Sequence, residues 1–190
     1  MDDLEIDGED VFKGMEQDGI MVMTSQPSTG SLQEAVQKIK EQGYSHIIGL
    51  PIATGLSSTM NGMKLACDML EMPVTLVDTK GTASNQKYLV EVAAKLAGEG
   101  KSPEEIKEIL EKLVEDSATI IMVPNLEHLK KGGRITPAVA TLAGLLKIVP
   151  IMKLNYDLGG KIDTFGKVRT AKKANLKIID HMVNDCKVNN

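Results

Sequence analysis

Two hydroxyl-rich segments are the places where this chain could hold an anion: Thr24-Ser25-Gln26-Pro27-Ser28-Thr29-Gly30-Ser31 and Ala53-Thr54-Gly55-Leu56-Ser57-Ser58-Thr59. Each runs from an apolar, β-rich stretch into a helical pattern. In open parallel sheets, that junction is where unpaired helix amides and the positive end of the helix dipole meet a ligand. If the two strands are neighbours, hydroxyls such as Thr24 and Ser57 converge on one carboxylate or phosphate. Ser and Thr also cap helices everywhere, so either loop alone has an ordinary structural explanation. The pair says more. A third segment, Leu126-Glu127-His128-Leu129-Lys130-Lys131-Gly132-Gly133-Arg134-Ile135, places a permanent cation on a tight glycine turn, where it suits a phosphate or an acidic partner.

Other chemistries are disfavoured. Neither hydroxyl loop matches the GxxxxGK[ST] phosphate loop, with its lysine for the outer phosphates, or the GxGxxG dinucleotide turn. A serine nucleophile at Ser57 is possible in principle, but the GxSxG elbow is missing, and none of His46, His128 and His181 can be assigned as its base. His46 starts a strand and His128 lies on a short helix, positions with plain structural readings. No His/Cys/Asp/Glu spacing resembles a zinc or calcium site, so no metal and no cofactor is expected. Cys67 and Cys186 lie far apart without a CxxC pattern and read as structural or incidental.

The net charge of −4 argues against a nucleic-acid surface. Its distribution is uneven. Residues 1–18 carry eight acidic side chains against Lys13, which leaves the rest of the chain mildly basic, with Lys130, Lys131 and Arg134 and then Lys167, Arg169, Lys172, Lys173 and Lys177 contributing. No stretch approaches the roughly 18 to 20 apolar residues of a membrane span. The opening MDDLEIDGED lacks the basic and apolar regions of a signal peptide, so a cytoplasmic protein is expected.

The elements that must position these loops follow from periodicity. The runs IMVMT (20–24), HIIGL (46–50) and VTLVD (74–78) alternate with helical patterns, which predicts a parallel sheet with helices on its faces. Ser31-Leu32-Gln33-Glu34 reads as a capping box opening the first helix, and Gly43 ends it. The second helix begins at the Gly55–Ser58 turn and runs to about Glu71, where Pro73 prevents continuation. After the polar TKGTASN, Leu89, Val92, Ala93 and Leu96 mark a helix from about Gln86 to Ala97. Ser102-Pro103-Glu104-Glu105 starts another, reaching about Asp116.

A strand, ATIIMVP (118–124), then leads to the short helix NLEHLKK, which Gly132-Gly133 stops. A Pro-initiated helix, PAVATLAGLLK, is followed by IVPIMKLNY, a turn at Asp157–Gly160 and KIDTFGKV, which read as a hairpin before a closing basic helix. The expected fold class is therefore α/β in two lobes: residues 1–80, connecting helices at 81–116, and a second α/β lobe at 117–190.

TSQPSTGS, TGLSST, LEHLKKGGRIT, LLKIVPIMKL and KVRTAKKA together strongly resemble the DegV family, over nearly the whole chain and in family order. TSQPS and LKKGGRI are specific signatures. TGLSST is a looser version of the family's SGLSGT, with Thr54 in place of a serine and Ser58 in place of a glycine. The resemblance implies the DegV-like EDD fold of bacterial, cytoplasmic, non-enzymatic lipid-binding proteins that serve phospholipid metabolism. One long-chain fatty acid would lie in an apolar tunnel between the lobes as the bound ligand. On the matching positions, Thr24 and Ser57 would hold its carboxylate, with Ser25, Gln26, Gly55 and Ser58 as the supporting loop.

Some family members are the carrier subunit of a fatty-acid kinase, and Arg134 would then engage the kinase subunit. Family members usually continue at both ends: a strand and an acidic-serine motif come before this residue 1, and a segment whose histidine joins the carboxylate network comes after this residue 190. The resemblance thus implies a chain truncated at both ends and a fold incomplete relative to the family. His181 does not fall in that later motif. Two alternatives stay open: a hydrolase of small carboxylates or phosphates using Ser57 at the same corner, and a non-binding interaction fragment.

Overall fold

The computed structural model describes residues 7–16, 23–123, 126–140 and 148–186. After helix α1 (Gly8–Glu16) come α2 (Thr29–Glu41), β1 (Ile47–Gly49), α3 (Thr59–Met69), β2 (Val74–Leu76), α4 (Ala83–Gly98) and α5 (Pro103–Glu115). The second half holds β3 (Ala118–Met122), α6 (Glu127–Gly132), α7 (Pro137–Ala140), β4 (Val149–Asn155), β5 (Asp163–Val168) and α8 (Ala171–Asn184).

β1 and β2 pair in parallel, with Ile47 opposite Val74 and Gly49 opposite Leu76. Successive strand residues point to opposite faces, and the packing follows that rule. Ile47 and Val74 join Val36, Ala66, Cys67 and Met72 under α2 and α3. Ile48, Leu50 and Val77 join Leu89, Ala93, Ile106, Leu110 and Val114 under α4 and α5. Helices thus cover both faces of the parallel pair, which is the mixed α/β architecture expected from the alternating pattern.

Side-chain caps start α2, α5 and α8. Ser102 accepts the Glu105 amide and Glu105 reaches back to the Ser102 amide, a complete capping box with Pro103 in the first turn. α4 begins three residues before the expected Gln86, after Thr82. The first crossover differs from the sequence expectation: its cap is Ser28, which accepts the Ser31 amide at 3.1 Å, so the helix starts one turn before the box read at Ser31. The Ser31 hydroxyl instead meets the Ser28 hydroxyl at 2.7 Å, and Ser28 competes better because its extended φ/ψ suits a cap. Of the run 20–24, residues 20–22 lie outside the described residues, and Met23 and Thr24 are exposed and outside any strand. Residues 141–147 of the expected PAVATLAGLLK helix also lie outside them; α7 is its described start.

The second sheet has the order β3-β4-β5 and is antiparallel throughout. The β4–β5 hairpin is the one read from IVPIMKLNY and KIDTFGKV. Its register slips between Ile151, opposite Gly166, and Met152, opposite Thr164, which leaves Phe165 as the extra residue of a bulge. The Phe165 ring packs against His181 of α8, with centroids 4.7 Å apart, and Lys177 lies over it.

A third core cluster ties this sheet to the second hydroxyl segment, Ala53–Thr59: Ala53, Leu126, Val139, Met152, Leu154 and Ile162, with Leu56, Ile121, Leu129 and Ile135 packed against it. Where Ala53–Gly55 meets the hairpin turn, the backbones touch. A Cβ on Gly55 would overlap the Gly160 carbonyl and come within 2.8 Å of the Lys161 amide nitrogen. Gly160 itself takes φ +71, which only glycine adopts freely, and a Cβ there would stand 2.7 Å from that of Ala53.

Candidate functional site

The loop after β1 makes a tight turn. The Ala53 carbonyl accepts the amides of Leu56 (2.9 Å) and Ser57 (3.2 Å), and the Ala53 amide donates to Gly81 O at 2.9 Å. This presents Thr54, Gly55, Leu56, Ser57 and Ser58 around an open cleft of about 440 Å³, completed by Gln26 from the first loop and by Arg134. The Ser57 hydroxyl pairs with the Thr59 hydroxyl at 2.7 Å and accepts the Thr59 amide at 3.2 Å. Ser58 lines the cleft at the N-cap of α3 and makes no side-chain cap bond. α3 thus opens directly from the cleft and adds the positive end of its dipole.

Arg134 assembles the pieces. Gly133, in the left-handed conformation at φ 71, ends α6 and turns the chain so that the guanidinium reaches back across the cleft. Its Nε donates to Leu56 O at 3.3 Å, one terminal nitrogen donates to Thr24 O at 3.3 Å, and the other donates to Gly132 O. Three segments that are remote in sequence therefore meet at one cation: the Thr24 loop, the Ser57 loop and the glycine turn. The parallel bridge between Ile135 and Ile162 anchors the residue that follows Arg134 on the hairpin.

Of the residues singled out in the sequence, Gln26, Gly55, Ser57, Ser58 and Arg134 line the cleft. Thr24 and Ser25 are exposed next to it, with Thr24 held through its backbone carbonyl rather than its hydroxyl. Arg134 is half-buried and makes these internal bonds, so its surroundings are richer than a solvated partner contact. Leu56 has two roles: it forms part of the cleft wall and packs on the apolar cluster that joins the Ala53 loop to the second sheet.

Sequence reasoning missed Asp78 and Lys80. Asp78 follows β2, and its carboxylate accepts the Thr54 amide (3.1 Å), the Thr54 hydroxyl, the Lys80 amide (3.1 Å) and the Lys80 ammonium (2.6 Å). Burial pushes the Asp78 carboxyl up, but the bonds from Lys80 and Thr54 outweigh it and hold the group below its ordinary range. An acid at the C-terminal end of one parallel strand, next to the loop of its neighbour, was the available signal.

The histidines are engaged elsewhere. His46 Nε2 meets the Thr75 hydroxyl at 2.8 Å, and His181 Nδ1 meets Asp185 at 2.6 Å. The side chain of His128 lies outside the described part of the structure. Among the described residues no group of three or more His, Cys, Asp or Glu could hold a metal, and no helix is long and apolar enough to cross a membrane. Cys67 is buried, and burial pushes its thiol up; Cys186 is exposed.

Comparison with known proteins gives the family of the chain. A family model described as "Uncharacterised protein, DegV family" matches residues 1–190. A DegV domain-containing protein of Streptococcus pneumoniae is 33% identical over 178 residues, covering 93% of this chain and 62% of that protein. Among solved structures, a fatty-acid-binding DegV family protein from Streptococcus agalactiae superposes with a TM-score of 0.83 at 30% identity, over 97% of this chain and 64% of the other. A DegV family protein from Thermus thermophilus, described for its fatty-acid binding, gives 0.82 at 30% identity, over 94% and 62%. The chain belongs to the DegV family. It spans about 62% of the length of the curated relatives it matches.

Proposed function

We propose that this chain binds one long-chain fatty acid, with its carboxylate in the cleft near Thr24 and Ser57 and its acyl chain directed past Leu56 into the apolar space between two lobes. The lobes are residues 1–80 and 117–190, joined by the helices of 81–116. One observation carries the reading: Arg134 draws the two hydroxyl loops onto a single polar cleft whose Leu56 wall packs on the apolar cluster that joins the Ala53 loop to the second sheet. A fatty acid has the same division, an anionic head on an aliphatic tail. Related DegV proteins from S. agalactiae and T. thermophilus that bind fatty acids support the assignment.

The physics fits this ligand. Each buried CH₂ contributes about 0.8 kcal/mol, so the tail supplies most of the affinity. The head group needs donors to offset its desolvation, and hydroxyls, the α3 N-terminus and a guanidinium provide them. The Ser57 hydroxyl has Thr59 as its partner rather than a base, which favours holding a carboxylate over attacking one. In the same proposal the chain carries no cofactor and does no chemistry itself. It presents the carboxylate at the open cleft to a fatty-acid kinase subunit that forms the acyl phosphate, with Arg134 at the contact.

The test is retention of oleate by wild type and by the Thr24→Ala/Ser57→Ala double variant. Losing two hydroxyl donors to a charged group should weaken binding by about tenfold or more. Unchanged affinity in the double variant would remove the head group from this cleft. Capture of the kinase subunit by wild type but not by Arg134→Ala checks the partner contact.

A further inference from the structure

Asp78 does not line the cleft, yet the Ser57 turn hangs from it. Both hydrogen-bonding groups of the Thr54 backbone amide and side chain end on its carboxylate, so Thr54, although exposed at the cleft, has its N–H and O–H committed inward. The adjoining Ala53 amide is held by Gly81 O, and the Ala53 carbonyl in turn fixes the amides of Leu56 and Ser57. The 78–81 loop is therefore the template on which the head-group turn is built.

That loop is itself over-determined. Lys80 sits at φ 47, a conformation that costs a non-glycine residue free energy. It is kept there by its amide bond to Asp78, while the fully buried Thr79 hydroxyl donates to Pro51 O at 2.8 Å. The Lys80 ammonium closes on Asp78 with the two side chains only 23% and 15% exposed. This matters for an anion site. A bare carboxylate behind the Thr54 turn would repel an incoming head group, and the paired one does so far less.

We propose that Asp78 is a positioning residue for the head-group site: acting through Thr54, it sets the turn that presents Ser57, while Lys80 neutralises it so that the cleft remains receptive to a carboxylate. This rests on the fatty-acid reading above and assigns the selectivity of that site for an acid over a neutral lipid. Position 54 contributes its hydroxyl to the scaffold and not to the ligand.

The experiment is equilibrium binding of oleate and of oleyl alcohol, which has the same tail without the carboxylate, to the full chain as wild type, Asp78→Asn, Thr54→Val and Thr54→Ser. A thermal midpoint is recorded for each. Wild type should prefer oleate. Asp78→Asn and Thr54→Val should each lose about tenfold in oleate affinity while oleyl alcohol affinity stays within about twofold, and Thr54→Ser should rescue the oleate loss.

Equal losses for both lipids would make the network a fold element only and overturn the proposal, as would undiminished oleate binding in both variants. A wild type that binds the two lipids alike has no head-group selectivity to set and overturns it too. Should Asp78→Asn fail to fold, the Thr54→Val and Thr54→Ser pair decides by the same ratio. Wild type that takes up neither lipid overturns the fatty-acid reading and this inference together, whereas normal uptake with unmoved variants overturns the positioning role alone.

Discussion

A guanidinium carries its N–H donors in a fixed plane, and Arg134 spends them on the backbone carbonyls of Thr24, Leu56 and Gly132. A lysine keeps the charge but cannot span these acceptors. Arg134→Lys is therefore expected to lower oleate affinity by about five- to tenfold without unfolding the chain, measured by titration calorimetry beside a thermal melt.

Asp78 gives a prediction in pH. Its folded pKa lies below the ordinary 3.8, so its contribution to stability is fully present above that value and disappears as pH falls through the folded pKa. The stability gap between wild type and Asp78→Asn should be constant from neutral pH to about 5 and shrink in stronger acid, as followed by urea unfolding at each pH. A gap that widened in acid would reverse the assigned direction. These contacts were not legible in the sequence, because Arg134 reaches 110 residues back to Thr24 and Asp78 reaches 24 back to Thr54. The glycine turn and the hydroxyl loops were visible, but their meeting was not.

At the level of elements, what could be read was what is local. The Ser102–Glu105 box, the Gly43 stop and the hairpin each depend on a few adjacent residues, and each stands where the pattern put it. The cap of α2 was misplaced because Ser28 and Ser31 are both good cap residues three apart, and only backbone conformation chooses between them. Ser102→Ala should cost about 1 kcal/mol, and hence about 2–4 °C in a thermal melt, with oleate affinity untouched.

The hairpin turn behaves differently. Gly160 touches Ala53 and sits at positive φ, so Gly160→Ala should destabilise by about 1–3 kcal/mol and also weaken oleate binding, because relief of the clash must move the head-group turn. Melting and binding measured on the same sample separate this from the purely structural effect at Ser102.

Across the whole molecule, the alternation of short apolar runs with capped helices was enough to read an α/β chain, since the burial of Ile47 on one face and Ile48 on the other follows from strand geometry alone. The hairpin implied that β4 and β5 run antiparallel, but no pattern said that β3 joins β4 antiparallel, or that the Ala53 loop packs there through Leu126, Met152 and Leu154. Those facts come from long-range pairing, which sets where a polar cleft can adjoin an apolar core. The central claim is that this chain, which spans 62% of the length of its S. pneumoniae relative, holds a fatty acid across that junction. Native mass spectrometry of the gently purified protein tests it most directly. The expected spectrum shows one long-chain fatty acid per chain, exchangeable for added oleate; a clean ligand-free mass that takes up no oleate would contradict the account.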